Sequence, residues 1–246
     1  EYKQPYKYGT TRDQTLTVGD RPRAVAFQNP GGLAGVWAEE NTRDAIFDAL
    51  KRRETFATSG PRIAPRFFGG WHIPADICAS PNLAKAGYQH GVPMGGVLGT
   101  KPQPDARPRF VVAANADPGT AGTPGHPLQR IQIIKGWVGS TGSFHQTVID
   151  VAGNADNGAT VDPLSCEAEG EGFATLCGVW EDSEFDPQQD AVYYARAVEN
   201  PSCRWSTRMC LSIPEDQRPD GCDHPRIPRV IQERAWTAPI WFDSTY

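Results

Sequence analysis

The amino-acid sequence predicts an α+β protein in which a strand–helix–strand layer is followed by an antiparallel β-sandwich. Residues 33–58 pass from an apolar run through a helical pattern to a second apolar run, which is typical of a βα unit with parallel strands. From Pro108 onward, β-branched and aromatic residues recur at alternate positions without a long helical pattern. We therefore expect an α/β portion over residues 1–75, an irregular connection over 76–105 and a disulfide-containing sandwich over 106–246.

The helix is expected to begin after Asn41, a residue of good N-cap type with Asp44 at the third helical position. Its apolar residues form one stripe, which consists of Ala45, Ile46, Ala49 and Leu50. The run from Thr55 to Thr58 is then expected as a buried strand, because the Ser-Gly-Pro sequence that follows is a strong strand breaker.

The rest of the chain is expected to form short strands separated by turn-rich loops. The Arg-Ile-Gln-Ile sequence at residues 130–133 shows the alternation of a half-buried strand most clearly. One short helical turn is expected at residues 83–88. The expected strands cover residues 66–68, 109–114, 130–134, 144–151, 191–198 and 230–236.

The composition argues against two classes of partner. Lys and Arg total 24 against 29 Asp and Glu, giving a formal charge of −5, so we expect no nucleic-acid partner. No apolar run reaches the roughly 20 residues that cross a bilayer, so we expect no membrane span. The chain begins with Glu1 rather than Met, and we therefore expect processing, truncation or an incomplete sequence.

The six cysteines indicate an oxidising compartment, so we expect a periplasmic or secreted protein. We expect a disulfide between Cys166 and Cys177, because the residues between them are flexible and too polar to pack alone. Cys203, Cys210 and Cys222 can supply one further pair, and the partner of the remaining cysteine stays open. A zinc site is disfavoured, since the sequence has no C-x-x-C motif.

One candidate site lies where the predicted buried strand ends. Arg62 follows Thr58 and Ser59 there, and α/β folds place ligand-binding loops at such ends. Two hydroxyl groups beside a guanidinium would bind an oxyanion or a phosphate. The alternative is a loop arginine that stacks on Phe67 or Trp71.

Other polar residues are weaker candidates. Glu39 and Glu40 precede the helix N-terminus, where they are either capping charges or a ligand and general base. His145 lies in a predicted strand and is either a surface histidine or a ligand or base. The histidines show no metal-ligand spacing, so no complete catalytic metal site is expected. Residues 150–158 are rich in calcium-type ligands but lack the order of an EF-hand loop.

Three long segments, at residues 31–63, 193–205 and 231–241, resemble an uncharacterised bacterial family labelled only as a domain of unknown function. The first segment reads GGLAGVWAEENTRDAIFDALKRRETFATSGPRI. That family is similar to the polymerase and histidinol phosphatase (PHP) superfamily of metal-dependent phosphoesterases. The resemblance implies a distorted α/β barrel whose last strand and helix are residues 23–71, followed by an appended β-sandwich.

The resemblance also implies two or three divalent metal ions, bound through an N-terminal H-x-H motif and a late Asp-x-His motif. Neither motif is present, and residues 6–9 resemble the lead-in to the late motif, which residues 10–14 do not continue. The metal ligands are therefore expected in a missing N-terminal barrel portion or in a second chain. The residues implied as supporting or substrate-facing groups are Glu39, Glu40, Arg43, Thr58, Ser59 and Arg62.

The functional expectation is the C-terminal portion of a secreted PHP-like hydrolase that is inactive as this chain alone. In that mechanism a metal-activated water attacks a small phosphoester, and Arg62 neutralises charge on the phosphate oxygens. The alternative is a non-catalytic secreted module whose β-sandwich binds a glycan or a protein partner. The abundant aromatic residues suit this alternative, although four tryptophans are expected in the core, namely Trp137, Trp205, Trp236 and Trp241.

Overall fold

A computed structural model describes residues 31–218, 222 and 224–245, together with the backbone of residues 15–18 and 21–24. Residues 6–9, which resemble the lead-in to the late metal motif, and residues 10–14, which do not continue it, lie outside the described residues. The helices described are α1 Arg43–Lys51, α2 Leu83–His90 and α3 Trp205–Leu211. The strands described are β1 Thr15–Val18, β2 Arg21–Ala24, β3 Leu33–Val36, β4 Thr55–Thr58, β5 Ala64–Gly70, β6 Val92–Pro93, β7 Arg109–Asn115, β8 Leu128–Val138, β9 Phe144–Gly153, β10 Thr160–Val161, β11 Ala168–Glu169, β12 Thr175–Glu181, β13 Ala191–Glu199, β14 Ser202–Cys203, β15 Val230–Ile231, β16 Arg234–Thr237 and β17 Ile240–Phe242.

Two sheets pack face to face in a sandwich-like arrangement. The smaller has the strand order β12–β7–β5–β6, and the larger has the order β3–β4–β16–β13–β8–β9, with β17 also paired to β13. Ile133 of β8 lies opposite Ala195 of β13, and both belong to one buried cluster with Phe67 and Phe110 of the smaller sheet. The alternating apolar positions of the larger sheet therefore form the core, as period-two alternation requires.

The expected α/β barrel is wrong. β3 and β4 are antiparallel, with Leu33 opposite Thr58 and Val36 opposite Thr55, and β4 continues the sheet by antiparallel pairing with β16. The backbone N–H of Trp37 donates to the carbonyl of Glu54 at 3.0 Å, so the chain returns to the point where it left β3. The helix is thus inserted into a hairpin, whereas a strand–helix–strand pattern alone specifies no strand direction.

Each of the two sheets contains strands that precede the expected connection at residues 76–105 and strands that follow it. β4 pairs with β16 in the larger sheet, and β5 pairs with β7 in the smaller one. The connection itself contains α2 and the short strand β6.

The helices lie on the periphery of the sheets. Thr42 rather than Asn41 is the N-cap of α1, since its hydroxyl accepts from the backbone N–H of Ala45 at 3.3 Å. α2 packs on the outer face of the smaller sheet, where a Cβ atom at Gly87 would lie 2.5 Å from the Phe68 ring. Only glycine allows this close approach. Within the described residues, no helix has the length and apolar character that a bilayer crossing demands.

The six cysteines form three disulfides, namely Cys78–Cys177, Cys166–Cys203 and Cys210–Cys222. The expected Cys166–Cys177 bond is wrong, because Cys177 lies in β12 opposite the 3₁₀ turn Ile77–Ala79 while Cys166 lies beside β14. The Cys210–Cys222 bond is one of the pairs left open above. The three bonds indicate an oxidising compartment.

A buried ionic contact joins the two sheets. Asp182 follows β12, and its Oδ2 lies 2.6 Å from the Lys135 Nζ atom of β8. The Tyr193 hydroxyl of β13 donates to the same oxygen at 2.7 Å. Burial, followed by the charge of Asp182, raises the pKa of Tyr193, so the phenol stays protonated and remains a donor. The two charged groups of this contact therefore neutralise each other in the interior.

We expect the Cys78–Cys177 bond to stabilise the fold more than the Cys210–Cys222 bond does. The two bonds close sequence separations of 99 and 12 residues. On chain entropy alone, removing the first pair by Cys78→Ser with Cys177→Ser should cost roughly 2 kcal/mol more in unfolding free energy than removing the second. Urea unfolding of both double variants measures the difference. Peptide mapping of the oxidised protein checks the pairing, and a Cys166–Cys177 peptide would refute it.

Truncation of Asp182 should destabilise the protein strongly. Asp182→Ala leaves the Lys135 ammonium buried without its counter-charge, which costs about 3–5 kcal/mol. Adding Lys135→Met to this variant should recover part of the loss, because it removes the unpaired charge. Chemical unfolding of both variants measures the effect, with the exposed Asp186→Ala as the control. Equal stability of Asp182→Ala and the control would contradict this role.

Candidate functional site

The sequence-predicted site residues lie at opposite ends of β4. Thr58 is its last residue and Ser59 and Arg62 follow it, whereas Glu39, Glu40 and Arg43 precede the strand, near the start of α1. A four-residue strand spans roughly 10 Å or more. The structure therefore separates the six residues into two groups.

The two hydroxyl groups at the end of β4, of Thr58 and Ser59, hold the local backbone. The Ser59 N–H donates to the Arg234 carbonyl at 2.9 Å, and the Arg234 N–H donates to the Ser59 Oγ at 2.8 Å. Thr58 Oγ1 accepts from the Gly60 N–H at 3.2 Å. These contacts dock the turn after β4 on the start of β16.

Arg62 is held by the loop that follows β7. Its backbone N–H donates to Asp117 Oδ2 at 2.7 Å, and its guanidinium donates to Asp117 Oδ1 at 3.1 Å and to the Gly119 carbonyl at 2.7 Å. Desolvation raises the pKa of Asp117, but hydrogen bonds from the backbone of Arg62 and Gly119 and from the guanidinium outweigh it and lower the pKa. The Arg62 side chain therefore ties two loops together.

The two glutamates of the second group line an open acidic groove. Glu39 and Glu40 form it with Asp44 and Asp48 of α1. Arg43 is not among the residues that line this groove; it is highly exposed and pairs with its neighbour Asp44, at 3.5 Å. Across the part of the chain that the structure describes, no three His, Cys, Asp or Glu residues are placed to hold a metal ion.

A different site appears at the end of the larger sheet, where β8, β9, β13 and β17 meet. A cleft of about 570 Å³ opens there. Its lining is mainly apolar, and it includes Val97, Trp137, Val138, Phe144, Val192 and Trp241. We call this opening the aromatic cleft.

Strand pairing and ring contacts position the aromatic side chains. Val192 of β13 lies opposite Trp241 on one side and Gly136 on the other, and the Arg53 guanidinium lies 5.5 Å from the Trp241 ring. Trp137 stacks on His145 with ring centroids 5.4 Å apart. Phe144, at the first position of β9, is 89% exposed. An aromatic side chain so exposed beside other apolar groups is typical of a binding surface.

Two carboxylates form the polar rim of the cleft. Asp190 Oδ1 accepts from the Ser244 N–H at 2.8 Å and from its hydroxyl at 2.7 Å. These hydrogen bonds, the backbone one first, lower the pKa of Asp190. Asp243 Oδ1 accepts in the same way from Thr245. No hydrogen bond from the described residues reaches the Oδ2 atom of either carboxylate, so both remain available as acceptors.

Sequence reasoning missed this cleft because it assigned Trp137 and Trp241 to the core. The structure leaves both half-buried at the cleft. His145 lies beside them, but its ring contact is with Trp137. One signal was present in the sequence: Phe144 follows a Gly- and Ser-rich loop, where a large aromatic side chain has little to pack against.

A family model described as a protein of unknown function, DUF3604, matches residues 5–244. The chain belongs to the DUF3604 family. This confirms the expected membership of an uncharacterised family, and the match does not link DUF3604 to the PHP superfamily. For this DUF3604 chain, no match was found among curated proteins or among solved structures.

Arg62 and Arg43 should differ in their effect on acid stability. Because the pKa of Asp117 is lowered in the folded protein, its contribution is present above the ordinary value of 3.8 and is lost as the pH falls below it. Arg62→Ala should lower the unfolding free energy at neutral pH by about 0.5–1 kcal/mol and reduce this acid-dependent loss. Thermal unfolding between neutral and acidic pH measures both effects, with Arg43→Ala as the matched control. Identical profiles for the two variants would contradict the tie between the loops.

Proposed function

We propose that this DUF3604 chain is a non-catalytic module, periplasmic or secreted, that binds a neutral glycan in the aromatic cleft. The observation that carries the proposal is the combination of one exposed and two half-buried aromatic rings, Phe144, Trp137 and Trp241, with two rim carboxylates that have spare acceptor capacity. Ligand sites in proteins are mostly apolar clefts with a few placed polar groups, and about 570 Å³ lies within their usual size range.

The chemistry of sugars suits both parts of the cleft. A pyranose ring presents apolar C–H groups on its faces and hydroxyl groups around its edge. The faces can pack on Trp241 and Phe144, which bury large apolar areas in few rotatable bonds. The edge hydroxyls can donate to Asp190 and Asp243, and hydrogen bonds to a charged acceptor are the stronger kind.

Charge favours a neutral chain over an anionic one. The described lining contains Asp190 and Asp243 but no Lys or Arg, and the whole protein carries a formal charge of −5. An anionic polysaccharide or a phosphoester would meet like charge at the rim. The three disulfides suit a periplasmic or secreted location, where glycans are encountered.

The phosphoester hydrolase expected from the sequence stays a prediction, together with its two or three metal ions and a second chain that would supply their ligands. The expected missing barrel portion is given up with the α/β barrel. The contacts of Arg62 with Asp117 and Gly119 do not support it, because the Asp117 carboxylate neutralises the guanidinium that was assigned to the phosphate and would repel an anion.

Truncation of the cleft aromatics should weaken glycan binding. Phe144→Ala and Trp241→Ala should each raise the Kd for a neutral polysaccharide roughly tenfold, since aromatic anchors dominate such contacts. Affinity electrophoresis against β-glucan, xylan, mannan and α-glucan identifies the ligand, and calorimetry measures the Kd. Phe144→Ala removes a side chain with little packing. A loss of affinity in this variant therefore reports on binding and not on loss of the fold.

Phe47→Ala is the matched control, because Phe47 is 61% exposed on α1 and lies outside the cleft. Wild-type protein that binds none of the four glycans would overturn the proposal. Stronger binding to anionic alginate would overturn the charge argument. Binding that survives Phe144→Ala as well as it survives Phe47→Ala would place the ligand elsewhere.

A further inference from the structure

Two carboxylates lie together at the end of the larger sheet that is opposite to the aromatic cleft. Glu199 is the last residue of β13, and its N–H donates to the carbonyl of Glu233 at 2.9 Å. The side chain of Glu199 is 0% exposed, and neither of its carboxylate oxygens has a hydrogen-bond partner. Oε2 of Glu233 is also buried without a partner. Unsatisfied buried oxygens are rare in native proteins and require a physical reason.

The charges that act on Glu199 are both negative. Burial, followed by repulsion from Glu233 and then from Asp117, raises the pKa of Glu199 to about 8. An ionised carboxylate buried without a partner costs several kcal/mol, so the group takes up a proton instead.

The cations of this region are engaged by the other two acids. Arg62 binds Asp117, while Arg204 and Arg234 interact electrostatically with Glu233. Arg130 and Arg196 lie further along the sheet and act on Arg234. Of these three acids, Glu199 is therefore the one that must be neutralised by a bound proton rather than by an arginine.

Glu199 lies next to the contacts that close this end of the protein. Its carbonyl accepts from the Gln232 side chain at 3.0 Å, and the neighbouring Arg234 N–H and carbonyl hold the turn at Ser59. A new negative charge on Glu199 would face Glu233 across the β13–β16 junction. Repulsion there would loosen the junction and the turn docked on it.

We propose that Glu199 carries a proton in the folded protein at neutral pH, and that loss of this proton in mildly alkaline solution opens the junction between β13 and β16. This device is independent of glycan binding. Because the folded protein holds a proton that the unfolded chain has already released, stability falls as the pH rises from the ordinary value of 4.5 to about 8.

The decisive comparison is between wild type and Glu199→Gln, which keeps the shape but has no charge to gain. At about pH 9, we expect the folded-to-unfolded ratio of Glu199→Gln to exceed that of wild type at least tenfold, with a smaller difference at about pH 5. Urea unfolding across this range gives the ratio. The exposed Glu169→Gln is the matched control and should follow wild type.

Carbon-13 NMR titration of the Glu199 carboxyl in wild-type protein provides a measurement that does not depend on a variant folding. A midpoint above neutral pH supports the proposal, and a midpoint at the ordinary glutamate value overturns it. Parallel pH profiles of wild type and Glu199→Gln would overturn the switch even if the proton is present.

Discussion

The contact of Lys135 with Asp182 and Tyr193 aligns the two sheets, and the rest of the molecule depends on that alignment. Lys135 and Tyr193 lie opposite each other on β8 and β13, while Asp182 follows β12 of the smaller sheet. Sliding either sheet would separate two charges in a water-poor interior, where an unpaired charge costs several kcal/mol. Two residues beyond Lys135 on the same strand, Trp137 enters the aromatic cleft. The register that the ionic contact favours therefore also sets the cleft wall.

β13 connects the two unusual features of the protein. Ala191 and Val192 at its start line the aromatic cleft, and Glu199 at its end carries the unpartnered carboxylate. Nine strand residues span roughly 25–30 Å. Substitutions at such a distance with no shared partner act additively. A change at the cleft and a change at the buried acid therefore report on separate properties, so failure of one proposal leaves the other standing.

Local elements could be predicted from the sequence, but the pairing of distant elements could not. The alternation at residues 130–133 and the apolar stripe of α1 are short-range patterns, and both elements are present. The direction of β3 against β4 and the partner of Cys177 depend on contacts far apart in the chain. Loop flexibility suggested Cys166 for Cys177, yet loop-closure entropy rises slowly with length. Sheet geometry could therefore favour Cys78, 99 residues away.

The position of a residue in the sequence also does not show which contacts its side chain already makes in the folded protein. Arg62 is a candidate because of its place after a strand. Whether its side chain can bind a ligand depends on the hydrogen bonds and ion pairs that it already makes within the protein. Asp117 and Gly119 accept from the Nη2 atom of its guanidinium, and the Asp117 carboxylate beside it both neutralises its charge and would repel an anionic ligand. Phe144 has little packing to lose, and Asp190 has an oxygen without a donor among the described residues. A ligand would displace water rather than a protein partner from these exposed groups, which is why the cleft is the better candidate.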